Sequence, residues 1–293
     1  MKKFSGNVLA FVRESSKLYR ILNSILAIAV KIFPLNVAFM STHFPVRGQF
    51  SINVFGSQKI NLFAAGDDYL LSTLYWGALR GYSYEKEVTE KLNATLKTGM
   101  TFIDVGAHVG ITSLIAEKFC PSATIVAIEA LPVVAERLEL NIKMNNSKIH
   151  VVRKALGAEV KRSSFYHYGG IPSSSGFILE PIITADSAKD IFASDIDITT
   201  LDLFWSDSNL KSIDIMKIDV EGYEYEVLVG STEILKSQGP VVIFESTNLI
   251  KLSEISAFLT SLGYTVPIKL ISKAKNITNN CNYFSLPATQ SIS

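Results

Sequence analysis

Thr101-Phe102-Ile103-Asp104-Val105-Gly106-Ala107-His108-Val109-Gly110 is the stretch whose reading decides the fold. A short apolar, β-prone run meets an acidic residue at Asp104, turns on Gly106 and Gly110, and continues into a helical pattern. A strand that ends in a glycine turn before a helix brings main chain close to a small ligand. Glu129 follows Gly110 at about the twenty-residue spacing at which an acidic side chain can grip a ribose.

Outward from this stretch the sequence alternates strand and helix. Strands are predicted at 102–105, 124–128, 149–152, 213–218 and 241–244, and helices at 111–119, 132–144, 223–235 and about 249–262. That alternation is the pattern of a parallel sheet with helices on both faces. Residues 264–270 and 282–286 read as an antiparallel closing pair. Between the third and fourth strands lies a long polar region, with a surface loop at 168–176. Upstream, 50–63 reads as a hairpin around Gly56, and 68–96 as helices interrupted at Gly81. The expected organisation is a basic apolar helical segment over 1–45, a hairpin and helices over 46–98, and the α/β domain over 99–293.

Bulk properties narrow the function classes. Lysines and arginines number 28 against 27 acids, for a net charge of +1, which gives no global reason to expect nucleic acid as a partner. Two cysteines, Cys120 and Cys281, cannot build a disulfide framework or a thiolate zinc site. No acidic residue lies between Glu14 and Asp67, while Lys17, Arg20, Lys31, Arg47 and Lys59 do. The apolar part, 21–33, is interrupted by Asn23, Ser24 and Lys31 and is short for a spanning helix, which needs roughly 20 apolar residues. It reads as a packed helix, with a membrane-surface or signal-anchor helix and a cleaved signal as alternatives. The expected location is the cytoplasm, with peripheral membrane contact through this segment as a further expectation.

Asp104, Glu129, Asp219 and Glu245 each end a predicted strand, on the rim where open parallel sheets bind ligands. A dinucleotide site wants glycine at position 108, and this chain has His108, which would crowd a pyrophosphate. A phosphate-free nucleoside would fit, which favours S-adenosylmethionine over NAD. The expected cofactor contacts are Asp104, Gly106, Ala107, His108 and Gly110 on the turn, Glu129 and Ala130 at the ribose, and Ala155 near adenine. In Lys217-Ile218-Asp219-Val220-Glu221-Gly222, Asp219 or Glu221 is the candidate general base for a hydroxyl acceptor. Mg²⁺ or Ca²⁺ on Asp219, Glu221 and Glu245 is a less favoured reading of the same carboxylates.

These residues resemble the FkbM family of S-adenosylmethionine-dependent methyltransferases. The resemblance rests on Asp-Val-Gly-Ala-His-Val-Gly at 104–110, Ile-Glu-Ala at 128–130 with Leu138 and Asn141 after it, Lys-Ala-Leu at 154–156 and Thr-Leu-Asp at 200–202. It continues through Met-Lys-Ile-Asp-Val-Glu-Gly at 216–222, Glu226 to Gly230, and Ile-Phe-Glu at 243–245. The family usually carries asparagine in place of His108, and Phe-Glu-Pro in place of 128–130. The resemblance implies a Rossmann-like sheet of seven strands with the last antiparallel, and O-methylation of a saccharide, glycolipid or related metabolite. A nicotinamide-dependent oxidoreductase and a non-catalytic, membrane-associated protein that retains the fold are the other readings.

Overall fold

The computed structural model describes residues 16–33, 35–55, 58–66, 68–168, 191–272 and 281–290. They fall into two compact units, one within Met1–Tyr84 and one within Glu85–Lys273 and Thr278–Ser293.

The first unit opens with helix α1 (Ser16–Ile32) and helix α2 (Val37–His43). Strands β1 (Arg47–Phe55) and β2 (Gln58–Ala65) then pair antiparallel, Arg47 opposite Ala65 and Phe55 opposite Gln58. Alternation sets the buried face of this hairpin, with Phe50, Ile52, Ile60, Leu62 and Ala64 inward. Helix α3 (Tyr69–Ala78) packs on the hairpin, and its first turn is capped by the Asp68 side chain accepting from Leu71 N at 3.0 Å. Trp76 is fully buried, and its indole N–H donates to the Phe44 carbonyl at 3.0 Å.

The second unit begins with helix α4 (Lys86–Thr95), then β3 (Thr101–Val105), α5 (Ile111–Phe119), β4 (Thr124–Ile128), α6 (Pro132–Met144) and β5 (His150–Val152). Pro132 opens α6 where its missing N–H costs nothing. A second, three-stranded sheet follows, formed by β6 (Ala155–Leu156), β7 (Lys161–Tyr168) and β8 (Ile191–Thr199). Helix α7 (Leu201–Asp207), β9 (Ile215–Ile218), α8 (Glu224–Val229), α9 (Thr232–Ser237), β10 (Val241–Glu245), α10 (Leu249–Ser261), β11 (Ile268–Lys269) and β12 (Asn282–Ser285) complete the described elements.

The main sheet has seven strands in the order β11-β12-β10-β9-β3-β4-β5. All neighbours are parallel except β12, which runs antiparallel to β10 and β11. This is the Rossmann-like arrangement expected of the sequence, with an antiparallel last strand. From β3 the chain winds one way to β4 and β5, and later the other way through β9 to β10. Right-handed crossovers therefore place helices on opposite faces, and the order reverses between β3 and β9, whose carboxyl ends are where open parallel sheets bind ligands. Strand β3 is buried along its whole length, as a central parallel strand must be.

The structure corrects three expectations. Strand β9 starts at Ile215, two residues later than read. The single helix over 223–235 is two helices, α8 and α9. The break falls at Gly230, where a Cβ would sit 1.9 Å from the Gly157 carbonyl oxygen, so backbone approach leaves room for glycine alone. Asp202 then accepts from the free N–H groups of Glu233 and Ile234, at 3.0 and 2.9 Å, and starts α9. Strands β7 and β8 stand where the sequence predicts only a polar connection. Lys161-Arg162-Ser163-Ser164 carries no apolar alternation, and pairing with β8 supplies what the side chains do not. Residues 169–176 of the expected surface loop lie outside the described residues.

Candidate active site

Strand period and register bring charged side chains together on one face of the main sheet. Asp104 of β3 is opposite Lys217 of β9, and Asp219 lies two residues beyond Lys217, hence on the same side. Lys217 is 3% exposed at its side chain, with Nζ 2.7 Å from Asp219 Oδ2 and 3.6 Å from Glu85 Oε2. Ser113 Oγ, from α5, donates to Asp104 Oδ2 at 2.6 Å. Glu245, at the end of β10, hydrogen-bonds with Asp219.

Low-dielectric surroundings divide the protons among these carboxylates. Burial pushes Glu85 up to about 7 against the pull of Lys217. Burial raises Glu245 to about 9, reinforced by the negative charge of Asp219 and by the hydrogen bond to it. Burial also raises Asp104, with Lys217 opposing. For Asp219 burial is overcome by the charge and hydrogen bond of Lys217, and its pKa lies below the ordinary value. The outcome at neutral pH is an ionised Asp219 that accepts from a protonated Glu245.

The turn after β3 is built from both sides. Gly106 and Ala107 each donate a backbone N–H to the Ile128 carbonyl at 3.0 Å. Gly106 has φ of 78°, and a Cβ there would meet the Asp219 carbonyl oxygen at 1.9 Å. The close pass of the β9 terminus by itself requires glycine at this position. Gly110, in the left-handed region, starts α5 against Leu138, and Asn141 Nδ2 holds the Val109 carbonyl at 2.9 Å. Leu138 and Asn141 thus brace the turn from α6.

Glu129 joins this turn to the next strand. Its Oε2 accepts from His108 N and its Oε1 from Leu131 N, each at 2.9 Å. Burial raises its pKa, while the Leu131 N–H and then the nearby His108 side chain oppose the rise. Ala130 follows it, partly buried. Ala155 lies in β6, paired with Ile198 of β8, and is 4% exposed.

Glu221 and Gly222 form a tight turn with φ of 54° and 99°. Glu224 closes it, accepting from Gly222 N at 2.8 Å and Val220 N at 3.3 Å, and Lys251 Nζ donates to the Gly222 carbonyl. The Glu221 side chain is open to solvent, yet its pKa is raised by the protein around it and by Asp219. Among the described residues four non-glycines have positive φ, and three of them, Glu85, His108 and Glu221, belong to this cluster. Backbone held in that region concentrates at functional sites.

The structure therefore gathers Asp104, Gly106, Ala107, His108, Gly110, Glu129, Asp219 and Glu221 around the carboxyl ends of β3, β4 and β9. Two participants had no role in the sequence reading. Lys217 was a legible signal, since a lysine inside Ile-Met-Lys-Ile has to be paired when the strand is buried. Glu85 carried none, because nothing local ties Tyr84-Glu85 to a strand far along the chain. No group of three or more His, Cys, Asp or Glu side chains among the described residues is arranged to hold a metal ion.

Residues 104–266, more than half of the chain, match the Methyltransferase FkbM domain. The chain belongs to the FkbM methyltransferase-domain family. It is similar to Methyltransferase 1 of Beauveria bassiana, 27% identical over 143 residues, 44% of this chain and 57% of that protein. It is also similar to Methyltransferase sdnD of Sordaria araneosa, 26% identical over 164 residues, 48% of this chain and 63% of that protein. The chain thus spans less than two thirds of either relative. Among solved structures, Methyltransferase FkbM from Methylobacillus flagellatus overlays with a TM-score of 0.46 at 13% identity, covering 74% of this chain and 55% of that one. Within this FkbM chain, the matched segment contains every residue of the cluster except Glu85.

Proposed function

We propose that this FkbM-family chain transfers a methyl group from S-adenosylmethionine to a hydroxyl of a saccharide, glycolipid or related metabolite. The observation that carries the reading is Glu129, which follows β4, the strand next to β3, and grips the turn after β3 through His108 N. The Glu129 carboxylate accepts backbone N–H bonds from His108 and Leu131, and a carboxylate has about four acceptor sites, which suits it to take hydrogen bonds from ribose hydroxyls as well. His108 in place of glycine suits a nucleoside without pyrophosphate. The turn residues Gly106, Ala107, His108 and Gly110 and the adjoining Glu129 and Ala130 fit the cofactor, and Ala155 is the contact expected for the base. Asp104 supports the turn from below through Ser113 and α5.

When bound, the cofactor supplies an electrophilic methyl group on a sulfonium that leaves as a neutral thioether. A hydroxyl acceptor must give up its proton as its oxygen gains the new bond, and a carboxylate beside it takes that proton. Asp219 and Glu221 divide the work. Asp219 is pinned by Lys217 and Glu245, which suits a fixed negative charge that orients the acceptor hydroxyl. Glu221 faces solvent with a raised pKa, which makes it the stronger proton acceptor of the two.

The test has two arms. Calorimetric titration of the chain with S-adenosylmethionine and with NADH should give heat only for the first. Incubation with isotopically labelled S-adenosylmethionine and a pool of glycans and glycolipids should then yield a product one methyl group heavier by mass spectrometry. Binding of NADH alone would replace the reading with an oxidoreductase.

A further inference from the structure

The first unit displays an apolar face that its own fold does not use. Helix α1 buries Asn23 and Val30, while Ile21, Ile25, Ile28 and Ile32 are 56%, 60%, 63% and 67% exposed. Their spacing of four, three and four residues puts all four on one narrow stripe of the helix. Phe33, just past its end, is 59% exposed, and Phe39 on α2 is 52% exposed. Arg80 fixes the chain between these helices by donating from Nη1 to the carbonyls of Phe33 and Leu35, at 3.1 and 3.3 Å.

The charge beside this stripe selects its occupant. The helical period places positions 17, 20, 24 and 31, which are Lys17, Arg20, Ser24 and Lys31, along one edge of the isoleucines. The interval from Glu14 to Asp67 contains no acid, whereas the rest of the chain carries a net negative charge. No helix among the described residues is long and apolar enough to cross a membrane. An apolar stripe with a basic flank and an aromatic at its end has the makeup of a helix that lies in the headgroup region of a bilayer.

We propose that α1 docks, isoleucine face down, on a lipid surface carrying anionic headgroups. The isoleucines and Phe33 enter the acyl boundary, while the basic edge meets phosphate or carboxylate headgroups. This surface is independent of methyl transfer, and a failure of either reading leaves the other standing.

Flotation of the full chain with vesicles tests it. Phosphatidylcholine vesicles containing phosphatidylglycerol should carry the protein upward, and pure phosphatidylcholine vesicles should carry far less. Ile25→Glu with Ile28→Glu should cut partitioning more than tenfold, because two apolar side chains lose their burial. The serine pair at the same positions should weaken it in the same direction, and circular dichroism should report an unchanged fold for both. Lys31→Gln should weaken partitioning by about fivefold, the share of one basic residue near an anionic surface. The proposal is overturned if the folded chain ignores both vesicles, or if the glutamate pair floats as well as the parent. It is equally overturned if the parent sediments as a dimer without lipid and the glutamate pair does not, since a second copy then covers the face.

Discussion

Lys217 Nζ lies 2.7 Å from Asp219 Oδ2 and 3.6 Å from Glu85 Oε2, and the glutamate side chain is completely buried. One cation thus compensates carboxylates from the start of α4, from β3 and from the end of β9. Removal of such a buried partner leaves charge without compensation, which costs about 3–5 kcal/mol. Lys217→Met should lower the urea midpoint accordingly. A midpoint within error of the parent would mean that the carboxylates do not depend on this lysine.

The same cluster sets a pH dependence. Glu85 and Glu245 titrate at about 7 and about 9 in the folded protein, above the ordinary 4.5. Above their unfolded pKa the native state retains protons that the unfolded chain has released, so stability falls as pH rises. Their contribution is complete below the unfolded value and is lost by the upper folded value. Thermal melts should therefore decline from mildly acidic toward alkaline pH, and Glu245→Gln should flatten the alkaline half. An identical slope in that variant would remove Glu245 as the source.

At Glu129 the expected loss is in cofactor affinity. Glu129→Ala frees the N–H groups of His108 and Leu131 and removes the ribose acceptor, and hydrogen bonds to a charged group are worth about 1.5–3 kcal/mol. Calorimetric titration with S-adenosylmethionine should show a dissociation constant raised by at least tenfold. If the constant does not move, Glu129 does not hold the ribose.

For chemistry, Glu221→Gln should slow turnover by roughly 10²-fold, the usual share of a general base, while the cofactor dissociation constant holds. Asp219→Asn should slow it as well and should also disturb folding, because Lys217 and Glu245 lose their ionised partner. Full turnover in Glu221→Gln would shift the base to Asp219.

Gly106→Val is expected to fail at folding rather than at binding. Its Cβ would collide with the Asp219 carbonyl, which is backbone and has no room to yield. A soluble variant with the parent melting temperature would contradict this close pass.

The sequence by itself determined the alternation that makes the parallel sheet, the glycine turn after β3 and the carboxylates at strand ends. Those features are local, written in apolar runs, glycine positions and the residue types that follow them. Strands β7 and β8 were not legible, because their order comes from mutual pairing and not from side-chain pattern. The division of α8 from α9 was hidden too, since Gly230 is dictated by a carbonyl from a distant segment. Only the tertiary structure decided that Glu85 faces Lys217, which carboxylates keep their protons, and which isoleucines of α1 stay uncovered. Such properties depend on burial and charge separation between residues remote in sequence, and no single segment contains them.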